Sequence, residues 1–251
     1  GMTGAALLST YGALRAGAGV TITVCPSSLS TVFEKHIIEG MTFSCEDNNK
    51  GYLSIDNYEA IMEKVDWADS IIIGPGIGLA PGTIQLVVNL INSINKPIVL
   101  DADGLTCFNH LKRPLNNLVI TPHLGEFSRM IKKEKSKVAN NFIKIVTDFM
   151  KTFDGVALIK QVPSCVVYND KLIFNSTGNP GLSTAGTGDV LSGMIASFIS
   201  QGISNYNASR LSSFFHGLAA DNLIKKIGYR GLIASDLPLS IAQAINEYEI
   251  K

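Results

Sequence analysis

The residues able to do chemistry in this 251-residue sequence gather in one glycine-rich turn, Asn179-Pro180-Gly181-Leu182-Ser183-Thr184-Ala185-Gly186-Thr187-Gly188-Asp189. Ala185, Gly186 and Gly188 let the backbone come close to a ligand. From Thr187 onward the pattern reads as a helix whose first N–H groups and positive dipole end face an anion. Asp189 falls in the first turn of that helix. It is either a helix cap or a base that takes a proton from a hydroxyl while the amides steady a phosphoryl group in transfer. No Gly-Lys-Ser/Thr follows, so this is not a Walker loop and a phosphate-binding lysine must come from elsewhere. Lys160, closing the apolar run Val156–Ile159, is such a lysine or else a snorkelling strand-end residue.

Other polar residues follow short apolar runs. Ile71–Ile73 leads into Gly74-Pro75-Gly76-Ile77-Gly78, Ile98–Leu100 into Asp101-Ala102-Asp103-Gly104, and Val119-Ile120 into Thr121-Pro122-His123. In open α/β sheets ligands bind beyond the carboxyl ends of the strands, so three such ends together predict a pocket. Asp101 and Asp103 either hold magnesium through water or cap the next helix. His123 reads, on the residues alone, as a capping or surface histidine, with Glu126 completing the cap. His216 reads as a core histidine and Trp67 as core edge.

These residues need a scaffold, and the pattern supplies one. Strands are expected at Val20–Cys25, Ser70–Gly74, Pro97–Asp101, Asn117–Thr121, Val156–Lys160, Cys165–Tyr168 and Leu172–Phe174. Helices are expected at Thr3–Ala16, Leu29–His36, Tyr58–Val65, Thr83–Ile94, Gly125–Ile131, Lys137–Thr152, Thr187–Ser200, Ala208–Lys226 and Ala234–Tyr248. The alternation predicts an α/β fold, with a mostly parallel sheet between helical layers. The last two strands, joined around Asn169-Asp170, predict an antiparallel edge hairpin.

Composition narrows the class. Lys plus Arg and Asp plus Glu number 21 each, for a formal net charge of zero, which speaks against nucleic acid and against a polybasic membrane arm. Hydrophobic residues make up 46% and charged residues 17%, enough apolar surface to offset the entropy of ordering. The charge-free stretches Ser70–Asn95 and Val190–Ser209 are interrupted by proline and glycine or by polar residues, so neither reads as a membrane span. Cys25, Cys45, Cys107 and Cys165 form no C-x-x-C pair and read as free thiols of a cytoplasmic protein. No linker divides residues 1–251, which read as a single domain.

Five motifs in fixed order carry a family resemblance. They are Gly1-Met2-Thr3-Gly4-Ala5-Ala6-Leu7, Gly74-Pro75-Gly76-Ile77-Gly78, Leu100-Asp101-Ala102-Asp103-Gly104-Leu105, Thr121-Pro122-His123-Leu124-Gly125-Glu126-Phe127, and Asn179-Pro180-Gly181 with Ala185-Gly186-Thr187-Gly188-Asp189. Together they resemble the ADP/ATP-dependent NAD(P)H-hydrate dehydratases of the ribokinase-like superfamily. The resemblance implies a ribokinase-like three-layer α/β/α fold and repair of hydrated NADH or NADPH. ADP or ATP would be the co-substrate, with Mg²⁺ carried on the nucleotide rather than in a dedicated metal site.

By the same resemblance, Asp189 would deprotonate the C6 hydroxyl, and Ala185, Gly186, Thr187 and Gly188 would form the anion hole. Ala5, Gly76, His123 and Asp189 would contact the substrate, and Lys160, Gln161, Val162, Pro163, Ser164 and Gly188 the nucleotide. Gln161 stands where the family has glycine. The family also begins with a further strand and a Gly-Ser turn; this sequence starts inside that region, with Gly1 reading as a cloning scar, so a missing first strand and an open sheet edge are expected. The resemblance also implies a homo-oligomer, a homotetramer being expected since assemblies of four or more are usual in the family. The competing readings are a small-alcohol kinase of the same superfamily and a catalytically impaired nucleotide-binding relative.

Overall fold

The computed structural model describes residues 2–112 and 114–249; Gly1, which opens the first motif, lies outside them. The elements in chain order are α1 (Thr3–Arg15), β1 (Ile22–Pro26), α2 (Ser30–His36), β2 (Met41–Cys45), α3 (Tyr58–Trp67), β3 (Ile71–Ile73), α4 (Pro81–Ser93), β4 (Ile98–Leu100) and β5 (Leu118–Ile120). They continue with α5 (Leu124–Met130), α6 (Lys135–Asn140), α7 (Phe142–Met150), β6 (Val156–Ile159), β7 (Cys165–Tyr168), β8 (Lys171–Phe174), α8 (Thr187–Ser200), α9 (Asn205–Gly231) and α10 (Leu237–Asn246).

Strands β3 to β8 form one sheet in sequence order. β3, β4, β5 and β6 run parallel, while β7 and β8 return antiparallel. Ile73 lies opposite Leu100, and Leu100 opposite Ile120, so the three polar strand ends read from the sequence come out side by side. Side chains alternate between two apolar layers, as the two-residue strand period requires. Ile98, Leu100, Leu118, Ile120 and Ile159 face the core shared with α4, α5 and α7, whereas Val99, Val119, Val156 and Leu158 face α8, α9 and α10. A sheet buried on both faces accounts for the uninterrupted apolar runs in these strands.

β1 and β2 pair in parallel as a separate two-stranded sheet. Among the described residues β1 does not hydrogen-bond to β3, so β1 and β3 each keep an unpaired edge.

Helix α1 seats α8. A Cβ at Gly12 would fall on the Val190 carbonyl and one at Gly193 on the Ser9 carbonyl, so these glycines permit backbone-to-backbone approach. The Ser9 hydroxyl then donates to the Asp189 carbonyl at 3.0 Å. The first turn of α8 is thereby fixed from behind.

Several expectations need correction. β2 is a strand not expected from the sequence; its Met-Thr-Phe-Ser-Cys stretch has short alternation whose partner, β1, lies about one element away. The single helix expected at Lys137–Thr152 is two, broken at Asn141 with φ −127° and ψ 32°. The helix expected after Asp101 and Asp103 is a 3₁₀ segment, Ala102–His110. Trp67 is 57% exposed, not core edge, because it closes α3 beyond the last buried turn. The hairpin is as expected, with Asn169 at φ 53°. All four cysteines are buried and free, and burial pushes the Cys25 and Cys165 thiols up to about 11. No helix among the described residues is long and apolar enough to cross a membrane.

Candidate active site

α8 begins at Gly186, whose φ of 92° turns the chain sharply into the helix. No side chain caps this end. A Cβ at Gly186 would lie 2.5 Å from Leu8 Cδ1 and 3.0 Å from Ala234 Cβ, so glycine is required by both backbone angle and space. Thr187 turns its hydroxyl away from the helix mouth, donating to the carbonyls of Leu182 at 2.8 Å and Thr184 at 3.1 Å. Buried His216 of α9 sits 2.9 Å from the Thr187 carbonyl through Nε2. Burial holds its pKa down at about 4, so it is neutral and donates. No side chain caps the first-turn amides of α8, the condition under which a helix start can receive an anion.

Asp189 stands in that turn, half-buried, and among the described residues its carboxylate has no hydrogen-bond partner. Its pKa is pushed up to about 6, mainly by burial and next by the neighbouring charge of Asp101, with smaller contributions from Asp103 and Glu126; Lys160 opposes them. A capping aspartate would be hydrogen-bonded and acidic. This one is unpaired and only weakly acidic.

Lys160, the residue after β6, brings its ammonium to the same place. A Cβ at Gly188 would lie 2.9 Å from Lys160 Nζ, so the cation rests on the first turn of α8. Lys160 Nζ is 2.8 Å from Asp101 Oδ1, and Asp101 Oδ2 accepts from Ser192 Oγ at 2.6 Å. Asp101 therefore neither caps the following 3₁₀ segment through its side chain nor offers a free oxygen to a metal. Asp103 Oδ2 accepts from the Gly78 N–H at 3.0 Å, joining the turns after β3 and β4. No group of three or more His, Cys, Asp or Glu among the described residues is arranged to hold a metal.

The proposed substrate positions are distributed around this centre. Gly76 has φ 66°, and a Cβ there would approach the Met2 carbonyl and lie 3.2 Å from Ala5 Cβ, so Ala5 and Gly76 form one small-residue wall. His123 pairs across the sheet end with Lys160. It caps α5: Nδ1 accepts from the Gly125 and Glu126 amides at 3.0 and 3.3 Å, and Glu126 Oε2 accepts from the His123 amide at 2.8 Å. Burial, then Lys160, Arg129 and Lys135, lower its pKa against the pull of Glu126. An accepting Nδ1 leaves the proton on Nε2, which lies 3.4 Å from Glu126 Oε1.

Gln161, Val162, Pro163 and Ser164 form the turn from β6 to β7, with a cis bond between Val162 and Pro163. Ser164 Oγ donates to the Gln161 carbonyl at 3.2 Å, and Val162 is 96% exposed. Ser9 and Ser192 were not read from the sequence as site residues. Ser192 lies four residues past Gly188, a spacing that puts both on one side of α8, but its partner Asp101 is 91 positions away.

The family model described as NAD(P)H-hydrate dehydratase matches residues 1–243. This chain belongs to the NAD(P)H-hydrate dehydratase family. An ADP-dependent (S)-NAD(P)H-hydrate dehydratase of Xanthomonas campestris pv. campestris is 30% identical over 237 residues, covering 94% of this chain and 81% of that one. A bifunctional NAD(P)H-hydrate repair enzyme of Moorella thermoacetica is 34% identical over 242 residues, 94% of this chain but 46% of the relative. The chain spans about half the length of the bifunctional relatives it matches. Among solved structures, the Bacillus subtilis ADP/ATP-dependent NAD(P)H-hydrate dehydratase, co-crystallised with ATP/Mg²⁺ and soaked with CoA, aligns with TM-score 0.80 at 24% identity, covering 99% of this chain and 88% of that one. The fold of this dehydratase-family chain is the ribokinase-like α/β architecture expected from the motifs.

Proposed function

We propose that this chain, as one domain, dehydrates hydrated NADH or NADPH at the expense of ADP or ATP. Asp189 accepts the proton of the C6 hydroxyl, and the freed oxygen attacks the terminal phosphoryl group, whose bond to the bridging oxygen breaks so that AMP leaves from ADP, or ADP from ATP. The open amides of α8 and the Lys160 ammonium bear on the phosphoryl oxygens, where charge accumulates. Phosphate then leaves with the C6–O electron pair, and loss of a proton from C5 restores the ring double bond. Phosphorylation converts hydroxide, a poor leaving group, into a good one.

The remaining residues orient the reactants. Ala5 and Gly76 leave room for a flat ring close to the backbone, and His123 donates from Nε2 to a polar atom of the substrate. Lys160 and the 161–164 turn receive the nucleotide. Magnesium arriving on the phosphates would neutralise part of their charge. Asp101 pairs with Lys160 and Ser192, so the phosphate oxygens rather than this carboxylate would hold the ion. The names of the Xanthomonas and Bacillus relatives support the same substrates and nucleotide. We assign the protein to the cytoplasm and to a homotetramer, on the free thiols and the family resemblance.

One observation carries this reading: an unpartnered carboxylate of raised pKa beside an uncapped helix start that already holds a lysine. Incubation with hydrated NADH, Mg²⁺ and ADP or ATP is expected to restore reduced-nicotinamide absorbance, and Asp189→Asn to abolish it. Phosphorylation of a vitamin-precursor alcohol, with no such recovery, would select the kinase reading instead.

A further inference from the structure

We infer that Asp101 is the positioning residue of this site: its buried carboxylate holds the Lys160 ammonium against Gly188 and ties it, through Ser192, to the helix that carries Asp189. The inference rests on the reading of Lys160 as the phosphoryl-facing cation.

Asp101 is 1% exposed, and each carboxylate oxygen has its own partner, Lys160 Nζ at 2.8 Å and Ser192 Oγ at 2.6 Å. A charge so far from water persists only with such partners. The backbone of Asp101 is itself fixed, its N–H donating to the Ile73 carbonyl at 3.1 Å and its carbonyl accepting from the Gly104 N–H at 3.0 Å. Gly74 is what allows that placement, since a Cβ there would strike the Asp101 carbonyl. The next residue, Ala102, takes a positive φ of 49°, an angle uncommon for alanine. The carboxylate is thus a rigid reference point at the end of β4.

Lys160 is the opposite, a four-carbon stem with three rotatable donors that samples many positions when unpaired. Pairing selects one of them, beside Gly188. The Ser192 link makes that selection register with α8 rather than with the sheet alone. Cation and base then keep a constant separation although they come from elements 29 residues apart in sequence. Preorganised charge of this kind costs no rearrangement at the moment of transfer.

The test compares Asp101→Asn, Lys160→Met, the double variant and Ser192→Ala with the native chain. A substrate-free readout is the ¹⁵N signal of the Lys160 ammonium, visible when its hydrogens are held from exchange with water. It is expected in the native chain and lost in Asp101→Asn; its persistence there overturns the inference. In turnover, Asp101→Asn is expected to lower kcat about 100-fold, the loss typical of one misplaced charge-stabilising donor. The double variant is expected to be no slower than Lys160→Met, because Asp101 acts through Lys160. Full multiplication of the two losses, or native kcat in Asp101→Asn, overturns it. Ser192→Ala, a milder change if Asp101→Asn fails to fold, is expected to weaken the ammonium signal and lower kcat at unchanged melting temperature; native values for both count against the inference. A chain that shows the ammonium signal and its loss, yet never restores NADH, would sink the proposed activity and leave the positioning role standing.

Discussion

His123 and Glu126 cap each other across the first turn of α5, the imidazole accepting from the Glu126 amide while the Glu126 carboxylate accepts from the His123 amide. On the proposed function, this one residue has two separable duties, helix start and substrate contact. His123→Ala is expected to cost about 1 kcal/mol of stability, the usual loss of a cap, whereas His123→Asn keeps the cap and the stability. Both remove the Nε2 donor and are expected to lower kcat/KM about tenfold, as one hydrogen bond of about 1.4 kcal/mol would. Thermal melts beside steady-state kinetics check the split. Equal kcat/KM in His123→Asn and native protein would make the histidine purely structural.

Asp189 couples activity to stability. Its pKa in the fold, about 6, lies above its ordinary 3.8, so the folded state binds this proton more tightly than the unfolded state. Ionised Asp189 consequently destabilises the fold above pH 6, and the cost is relieved as pH falls from 6 toward 4. Asp189→Asn is expected to be inactive yet more stable at pH 7.5, by about 1–2 kcal/mol after allowance for its partial exposure. Urea denaturation of both proteins measures it. A less stable variant contradicts the strained-base reading.

The same group sets the pH dependence of rate. Protonation removes the base, so kcat/KM is expected to fall tenfold per pH unit below about 6 and to level off above it, as a single essential base requires. A pH–rate profile from 4.5 to 8 checks this, and a flat profile through pH 5 excludes Asp189 as the base.

His216 works in the other direction on stability. It is held neutral with a pKa near 4, against 6.5 when unfolded, so it stabilises fully above pH 6.5 and progressively less as pH falls toward 4. The loss over that window is expected to be about 3 kcal/mol at most. In His216→Gln the fall of melting temperature between pH 7 and 5 should become shallower; an unchanged slope assigns the acid sensitivity elsewhere.

Two glycines of the turn answer differently to alanine. Gly186→Ala must take a left-handed angle and meets Leu8 and Ala234, so it is expected to destabilise by about 1–2 kcal/mol or more. Gly188→Ala meets the far end of the Lys160 side chain, with Nζ 2.9 Å from the new Cβ, and has to displace it from its pairing with Asp101. It is expected to destabilise by about 1 kcal/mol through that pair rather than through backbone strain. Its nucleotide KM should also rise, because the ammonium is pushed off the helix mouth. Melting temperatures and nucleotide KM values for the pair test this; a native KM in Gly188→Ala would separate Lys160 from the nucleotide.

Local order was what the sequence alone could determine. The apolar runs Ile71–Ile73, Ile98–Leu100 and Val156–Ile159 each end in a glycine or a charged residue, and parallel crossovers then align their ends on one side of the sheet. Glycines at 186 and 188 before an apolar helix announce an anion-facing start, because few other residues accept that angle and that proximity. The ordered motifs gave the family.

What only the tertiary structure decided is who touches whom across long separations. Asp101 and Lys160 are 59 residues apart, Asp101 and Ser192 91, and Ser9 and Asp189 180. Strand pairing and the α1–α8 contact bring them together, and neither residue type nor local spacing encodes those meetings. The strand β2 was missed for the same reason, since a short alternating stretch becomes a strand only when its partner is present. The state of Asp189 belongs here too: its identity is written in the chain, but its raised pKa comes from the burial and the neighbouring charges that folding assembles around it.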